Sequence, residues 1–175
     1  MLLHPMHTVL VSCVGKRERP NIITLAWAMP TSLRPPMVAV SVSPKRHSHH
    51  LIEETKEFVV NVPTMDILDA VHVCGTVSGR DYDKFKEAKL TPLPAKRIKT
   101  PLIGECVANL ECRLLTALET GDHTIFVGRI VAAHIDRDVY DEDYRVKEGD
   151  MVFHLGGNDY ATLDPKVVKP RLKKP

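Results

Sequence analysis

The 175-residue chain lacks the short motifs by which several large enzyme classes are recognised. It contains no G-x-x-x-x-G-K-[ST], which excludes a P-loop, and no G-x-G-x-x-G after a predicted strand, which leaves a Rossmann dinucleotide site unsupported. It also lacks the H-E-x-x-H of zinc proteases and the G-x-S-x-G of α/β-hydrolases. Any chemistry must therefore come from a different arrangement of residues.

Strong charge, long apolar runs and paired cysteine motifs are absent too. A net charge of +2 is too weak to indicate a nucleic-acid or membrane partner. No apolar run approaches the roughly 18 residues of a membrane span, and no signal peptide is evident. The cysteines, Cys13, Cys74, Cys106 and Cys112, form no C-x-x-C and stand in apolar surroundings. We therefore expect buried free thiols and a cytoplasmic protein.

Histidines cluster once, at His47, His49 and His50. Successive helical residues point in different directions, and no carboxylate or thiol stands at ligand spacing. We therefore expect no metal site.

Short β-rich segments dominate the sequence. Strands are predicted at residues 7–14, 21–28, 37–43, 57–62, 106–114, 123–135, 151–155 and 160–163. Helices are predicted at residues 48–55, 65–74 and 81–88, with an extended connector at 90–101 and an acidic loop at 136–150. Because most consecutive strands could pair as hairpins, the pattern indicates an antiparallel barrel with helical excursions. One domain over residues 1–163 would precede a basic, proline-containing tail at 164–175.

Polar residues at the end of one buried strand suggest a ligand. Residues 37–43 are apolar on both faces and end at Pro44, but Ser41 and Ser43 interrupt them. Ser48 is expected to cap a helix whose free N–H groups attract anions beside Arg46. A surface turn with solvated charges is the alternative.

Three further stretches could face the same ligand. Trp27, the only tryptophan, could flank a planar ring or simply belong to the core. Residues 75–85 combine two glycines and two hydroxyls with Lys84, which could hold a phosphate or form an ordinary helix end. His123 follows a Gly-Asp turn and could reach a ligand at the barrel mouth or remain a surface residue.

In this order along the chain, these stretches resemble the flavin reductase-like family of the FMN-binding split barrel, which includes flavoredoxin and archaeal ferric-reductase-type proteins. The resemblance covers residues 5–163, and the ordered set is specific. The matching text is N-I-I-T-L-A-W-A at 21–28, R-P-P-M-V-A-V-S-V-S-P-K-R-H-S-H-H-L-I at 34–52, E-F-V-V-N-V at 57–62, C-G-T-V-S-G-R-D-Y-D-K-F at 74–85, N-L-E-C-R at 109–113 and G-D-H-T-I-F-V-G-R-I-V at 121–131.

The resemblance implies a mainly β, antiparallel Greek-key split β-barrel with short helical excursions, which forms a homodimer with FMN near the interface. It places His123 close to the flavin and the nicotinamide, and Tyr160 over the site. The implied cofactor contacts are Leu25, Ala26, Trp27, Ala28 and Met29 along the isoalloxazine, Ser41, Val42 and Ser43 along the ring and ribityl chain, and Arg46, His47, Ser48, Thr76, Ser78, Gly79 and Lys84 at the phosphate.

The resemblance implies an NAD(P)H:flavin oxidoreductase that passes electrons to a diffusible small-molecule acceptor. A flavoredoxin-like carrier, which keeps its FMN and exchanges electrons with a redox partner protein, is an alternative, and a non-redox binding protein on the same barrel is a third. The sequence does not distinguish NADH from NADPH as the hydride donor. FMN is favoured over FAD because Arg46, Ser48 and Lys84 suit a terminal phosphate.

Overall fold

A computed structural model describes residues 2–141, 143–144 and 150–168. Residues 169–175 of the predicted tail, and residues 142 and 145–149 of the predicted acidic loop, lie outside the described residues. The described chain is mainly β, as predicted, with three short helices placed in connections between strands. None of those helices is long and apolar enough to cross a membrane.

The elements follow one another in short segments. The strands are β1 Met6–His7, β2 Val9–Cys13, β3 Asn21–Leu25, β4 Ala28–Leu33, β5 Pro36–Val42, β6 Glu57–Val62, β7 Pro92–Leu93, β8 Leu102–Ile103, β9 Ala108–Thr120, β10 His123–Ile135, β11 Tyr140–Asp141, β12 Asp143–Tyr144, β13 Phe153–Gly156 and β14 Asp159–Ala161. The helices are α1 His47–Thr55, α2 Leu68–Thr76 and α3 Lys84–Glu87, with a 3-10 turn at Met65–Ile67.

One antiparallel sheet of seven strands, in the order β3-β2-β6-β9-β10-β5-β4, forms the body of the protein. Its two edge strands, β3 and β4, are consecutive in the chain and are separated only by Ala26 and Trp27. In a flat sheet those edges would lie about 29 Å apart, at about 4.8 Å per strand. The three Cα–Cα steps from Leu25 to Ala28 span at most about 11 Å. The sheet must therefore roll up, and because no ladder joins β3 to β4 in the described chain, the barrel stays split there.

Two apolar cores lie on the two sides of the rolled sheet. Val11, Phe58 and Phe126 are fully buried inside the barrel. Leu10, the neighbour of Val11 on β2, faces the other way and packs with Val71 of α2 in the second core. The side-chain alternation of β2 thus serves both cores, which explains why all of its residues are buried.

The cysteines are free and buried, as predicted. Burial raises the pKa of Cys13 to about 12 and that of Cys74 to about 11. These two thiols therefore stay protonated and unreactive at neutral pH.

The predicted strand over residues 21–28 is wrong at its C-terminal end. The chain leaves β3 after Leu25 and begins the separate strand β4 at Ala28. A proline is expected to follow the end of a strand, but Pro30 lies within β4 opposite Val38. Proline is tolerated there because β4 is an edge strand, and only one side of it has to pair.

Two predicted helix ends also need correction. Arg46, and not Ser48, occupies the N-cap position of α1, and its side chain makes no capping hydrogen bond. The Ser48 hydroxyl instead accepts a hydrogen bond from Asn21 Nδ2 at 2.8 Å. Helix α2 continues through Gly75 to Thr76, whose hydroxyl donates back to the His72 carbonyl at 3.1 Å.

Gly128 lies inside the predicted strand over residues 123–135, where a glycine indicates a bulge or a close approach, and the structure confirms both. The β9–β10 ladder shifts register between Val127 and Gly128. A Cβ atom at Gly128 would lie 2.8 Å from Phe58 Cε1 and 2.9 Å from Cys112 Cβ, so glycine leaves room for the barrel core.

Apolar and polar residues alternate strictly over residues 106–114, which predicts a half-buried strand. That prediction is wrong for the first part of β9, because the connector before it covers the polar face. Glu111 is fully buried, and its carboxylate accepts hydrogen bonds from the backbone N–H groups of Lys96 and Arg97 at 2.8 and 2.7 Å. His134 Nε2 lies 2.7 Å from the same carboxylate. Burial by itself raises the pKa of Glu111, but these hydrogen bonds outweigh it and hold the pKa below its ordinary value. Glu111 therefore stays ionised and fastens the connector to the barrel.

We predict that Glu111→Gln lowers the free energy of unfolding at pH 7 by about 1–3 kcal/mol, because an amide NH₂ cannot accept the N–H groups that the carboxylate satisfies. Since the folded-state pKa is depressed, the carboxylate's contribution is present above its unfolded pKa of about 4.3 and is lost as pH falls through the folded pKa. In urea unfolding, the difference in the free energy of unfolding between wild type and variant should thus be present at pH 7 and become smaller below about pH 4. An equal difference at both pH values would contradict the assignment.

Candidate functional site

One cavity of about 710 Å³ opens beside the split in the barrel. Six parts of the fold enclose it: the N-terminal segment, β3 with the Ala26–Trp27 link, the β5–α1 connection, the end of α2 with the turn after it, the start of β10 and the β13–β14 hairpin. Its volume lies within the range of about 300–1,000 Å³ that is typical of cofactor pockets.

The structure brings most of the predicted site residues to this cavity. Those that line it are Leu25, Ala26, Trp27, Ser41, Ser43, Arg46, His47, Ser48, Thr76, Ser78, Gly79, Lys84 and His123. Ala28, Met29 and Val42 lie outside its lining. Val42 is buried in the barrel core, Ala28 packs against that core, and Met29 is exposed. What any of these residues binds stays a prediction.

Lys84 is the most unusual residue of the cavity wall. It is only 4% exposed, and its Nζ donates to the Cys74 carbonyl oxygen at 2.6 Å. Burial lowers the pKa of Lys84, and the charge of Arg46 lowers it further against the opposing influence of Cys74 and Cys13. No carboxylate pairs with Lys84 within the described chain. Buried ammonium groups are normally paired with an anion, so this geometry suits an anionic ligand.

Two arginines add positive charge beside Lys84. Arg46 is exposed at the start of α1, and Arg80 donates from Nη1 to the Lys45 carbonyl at 3.3 Å. Neither guanidinium forms an ion pair with a carboxylate of the described residues. Sequence reasoning did not select Arg80, although it stands directly after the predicted Ser78 and Gly79.

Gly79 is required by a close approach. A Cβ atom there would overlap the Asn21 carboxamide, which donates from Nδ2 to the Ser48 hydroxyl. Asn21 is 3% exposed and also lines the cavity. The Ser48 hydroxyl accepts this hydrogen bond and also interacts with the Cys13 thiol at the cavity wall. Asn21 was missed from the sequence because nothing local links β3 to residues 48 and 79.

His47 is committed to a protein partner. Its Nε2 lies 3.1 Å from a Glu18 carboxylate oxygen. Burial lowers the pKa of His47, while Glu18 opposes that shift. Glu18 also forms a cluster with His50 and Glu54, whose ligand atoms lie within 4.8 Å of one another. Exposed carboxylates often cluster without an ion, so the absence of a metal site stays a prediction.

His123 and Trp27 meet on another part of the wall. Their ring centroids are 4.6 Å apart, with the planes tilted by 39°. His123 Nδ1 lies 2.8 Å from Asp122 Oδ1. This hydrogen bond lowers the pKa of Asp122, so the carboxylate stays ionised and orients the imidazole.

A group of four aromatic residues completes the wall: His4, His72, His154 and Tyr160. They come from the N-terminal segment, α2 and the β13–β14 hairpin. Of these, only Tyr160 was implied by the sequence resemblance. The three histidines carried no usable signal, since the N-terminus and the hairpin meet only through β1–β13 pairing.

The chain belongs to the family described as flavin reductase like domain, whose model matches residues 1–157. An uncharacterized protein of Archaeoglobus fulgidus is 44% identical over 129 residues, which is 74% of this chain and 72% of that protein. The reductase component of an FADH(2)-dependent resorcinol hydroxylase from a Rhizobium species is 25% identical over 130 residues, which is 73% of this chain and 69% of that protein.

Solved structures share the whole fold. Flavoredoxin of Desulfovibrio vulgaris (Miyazaki F) superposes with a TM-score of 0.88 and 27% identity, over 98% of this chain and 93% of that chain. An FMN-binding protein of Thermus thermophilus with bound p-hydroxybenzaldehyde gives a TM-score of 0.86 and 27% identity, over 97% and 92%. The fold is therefore the predicted flavoredoxin-like split barrel.

Proposed function

We propose that the protein binds FMN in this cavity and acts as an NAD(P)H:flavin oxidoreductase that passes electrons to a diffusible acceptor. The observation that carries the proposal is Lys84, a buried cation in a cofactor-sized cavity with only a neutral carbonyl as its described partner. Membership of the flavin reductase like domain family and similarity to an FMN-binding protein support it. Bound FMN would supply the redox chemistry, and the residues of the chain would bind and orient it.

The phosphate end of the ligand is assigned to the cationic part of the wall. Lys84 donates one of its three N–H groups to the Cys74 carbonyl oxygen, which leaves two N–H groups for a phosphate. The Ser48 hydroxyl and the Arg46 guanidinium would complete a set of charge-assisted hydrogen bonds. A phosphate here would favour the charged form of Lys84 and so offset the effect of burial. These donors suit the terminal phosphate of FMN better than the bridging diphosphate of FAD.

We predict that Lys84→Ala weakens FMN binding by about 1–3 kcal/mol, or roughly five- to 150-fold, because a charge-assisted hydrogen bond to the phosphate is lost. Fluorescence titration of FMN measures the change. Lys86→Ala is the matched control, since the Lys86 side chain is 84% exposed and pairs with Asp83 outside the cavity. Riboflavin, which lacks the phosphate, should bind wild type and Lys84→Ala equally. An unchanged FMN affinity in Lys84→Ala would refute the assignment.

The planar ring of the ligand is assigned to the wall beside the barrel split. The Trp27 carbonyl accepts a hydrogen bond from the Ser41 N–H at 2.9 Å, which fixes the link between the two sheet edges. Leu25, at the end of β3, and Ala26, within the link, line the cavity, and their backbone N–H groups would face a carbonyl edge of the ring. Preorganised donors of this kind would favour an electron-rich ring without any rearrangement of the chain.

His123 is assigned an orienting role. Asp122 holds its Nδ1, and the Trp27 ring supports one side of the imidazole. The remaining nitrogen, Nε2, makes no hydrogen bond within the described chain and could position a nicotinamide amide or the flavin edge. Positioning alone can change a rate strongly, since small displacements of reacting groups cost up to about 100-fold.

We predict that His123→Ala slows flavin reduction by NAD(P)H about ten- to 100-fold while FMN affinity stays within about twofold of wild type. Anaerobic stopped-flow absorbance gives the reduction rate, and fluorescence titration gives the affinity. His50→Ala controls for the loss of an exposed imidazole outside the cavity. A wild-type reduction rate in His123→Ala would remove this residue from the mechanism.

A flavoredoxin-like electron carrier is the second candidate. The similarity to flavoredoxin favours it, as does the lack of a nucleotide-binding motif in the sequence. Anaerobic mixing of the FMN-loaded wild type with NADH and NADPH separates the two functions. Rapid bleaching of the flavin absorbance supports the oxidoreductase, whereas a persistent yellow colour with both nucleotides supports the carrier.

We further propose that two copies pair through the outer face of the sheet. Cross-strand partners Leu118, Ile125 and Ser41 lie on that face, and so do Val127 and Met29 two residues along. Leu118 and Met29 are more than half exposed, and Ser41 connects the face to the cavity. An apolar face of this kind is typical of an interface between subunits.

We predict that Ile125→Lys converts a dimer into a monomer, because an unpaired charge in the middle of an apolar interface is costly to bury. Sedimentation velocity measures the mass. Leu155→Lys, which places the same charge on the separate β13–β14 sheet, should leave the dimer intact. A wild-type protein that sediments as a monomer would rule the interface out.

A further inference from the structure

The aromatic wall of the cavity is a built feature that the proposed flavin contacts do not use. His4 and His154 meet edge to face with ring centroids 5.2 Å apart, and His154 lies 5.5 Å from the Tyr160 ring. His72 and Tyr160 form a T-shaped contact with ring centroids 6.1 Å apart. All four residues are partly buried and line the cavity. Rings from three separate chain segments therefore meet on one side of the cavity, where their faces and edges can contact a planar ligand.

Backbone hydrogen bonds fix the tautomers of two of these rings. The Nδ1–H of His4 donates to the His154 carbonyl at 2.9 Å, and the Nε2–H of His154 donates to the Gly157 carbonyl at 3.0 Å. In their neutral forms, each ring therefore keeps one nitrogen lone pair as an acceptor. Two of the four wall residues can thus accept a hydrogen bond from a ligand hydroxyl.

Tyr160 supplies a donor to the same surface. Its hydroxyl lies 3.4 Å from His72 Nδ1, which can donate to it and so leave the phenolic hydrogen for a ligand. Burial raises the pKa of Tyr160, so the hydroxyl remains protonated at neutral pH. None of the four side chains carries a fixed charge. A flat, uncharged molecule that can both accept and donate through ring oxygens matches this combination.

We propose that His4, His72, His154 and Tyr160 form a subsite for a quinone, which would be the electron acceptor in the function proposed above. The role of the quinone as electron acceptor rests on the proposed function, whereas its binding to these four residues is independent of that function. The carbonyl oxygen of the quinone accepts from the Tyr160 hydroxyl. The hydroxyl of the product hydroquinone donates to the free nitrogen of His4 or His154.

The flavin and the Tyr160 hydroxyl together account for the electrons and protons that reduction of the quinone requires. Conversion of a quinone to a hydroquinone takes up two electrons and two protons. Bound reduced flavin, in its anionic form, would supply both electrons and one proton and would return to the oxidised form. The second proton comes from the Tyr160 hydroxyl, which recovers it from solvent through His72.

Duroquinone is the probe, because its four ring methyl groups block addition of thiols. Calorimetric titration of the oxidised, FMN-loaded protein should show binding. Tyr160→Phe keeps the ring but removes the donor, and it should weaken quinone affinity up to about tenfold. His154→Ala should weaken it by a similar factor through the lost ring contact. Both variants should retain wild-type FMN affinity, and Tyr140→Phe, outside the cavity, is the matched control.

The outcomes separate this inference from the proposed function. Fluorescence titration shows directly whether FMN binds. If it does not, the subsite is still supported when the flavin-free protein binds duroquinone and Tyr160→Phe weakens that binding. Equal quinone affinity in wild type, Tyr160→Phe and His154→Ala overturns it, as does a wild type that binds no duroquinone. Loss of affinity for reduced nicotinamide mononucleotide in Tyr160→Phe, with quinone affinity unchanged, would assign the wall to the hydride donor and also overturn it.

Discussion

The two-residue link between β3 and β4 is the constraint on which the architecture depends. These strands lie at opposite edges of a seven-stranded sheet, and Ala26 and Trp27 cannot bridge the width of a flat sheet. The sheet rolls up in response, and an opening remains where its edges approach without pairing. Trp27 lines the cavity at this opening and contacts His123, the first residue of β10. The candidate site is thus a direct consequence of how the barrel fails to close.

Two buried charged residues, Glu111 and Lys84, differ in how far the protein itself compensates their charge. Glu111 is fully satisfied by two backbone N–H groups and His134, so its burial strengthens the fold and leaves nothing for a ligand. Lys84 is buried almost as deeply, but its described partner is a single neutral carbonyl. By the same physical rule, that a buried charge needs compensation, Glu111 is satisfied within the fold, whereas the burial of Lys84 supports the proposed anion site.

Much of the fold was predictable because strands, turns and helices leave local signals. The mainly β content, the bounds of β6 and β10, the buried cysteines and the close approach at Gly128 were predicted correctly, whereas β4 was missed and β9 extends to Thr120. The errors fall where a distant element changes the environment. Ser48 bonds to Asn21 instead of capping α1, Pro30 is tolerated because β4 has one free edge, and Glu111 is buried because a connector covers it.

The sequence by itself determined the family, the class of fold and about half of the residues that line the cavity, because ordered motifs and local periodicity survive without knowledge of contacts. Only the tertiary structure decided which side chains are already committed to protein partners, as His47 is to Glu18. It alone also brought His4, His72, His154 and Tyr160 together. Such groupings depend on strand pairing and chain crossings between residues up to about 150 positions apart, such as His4 and His154. Local patterns carry no record of those pairings.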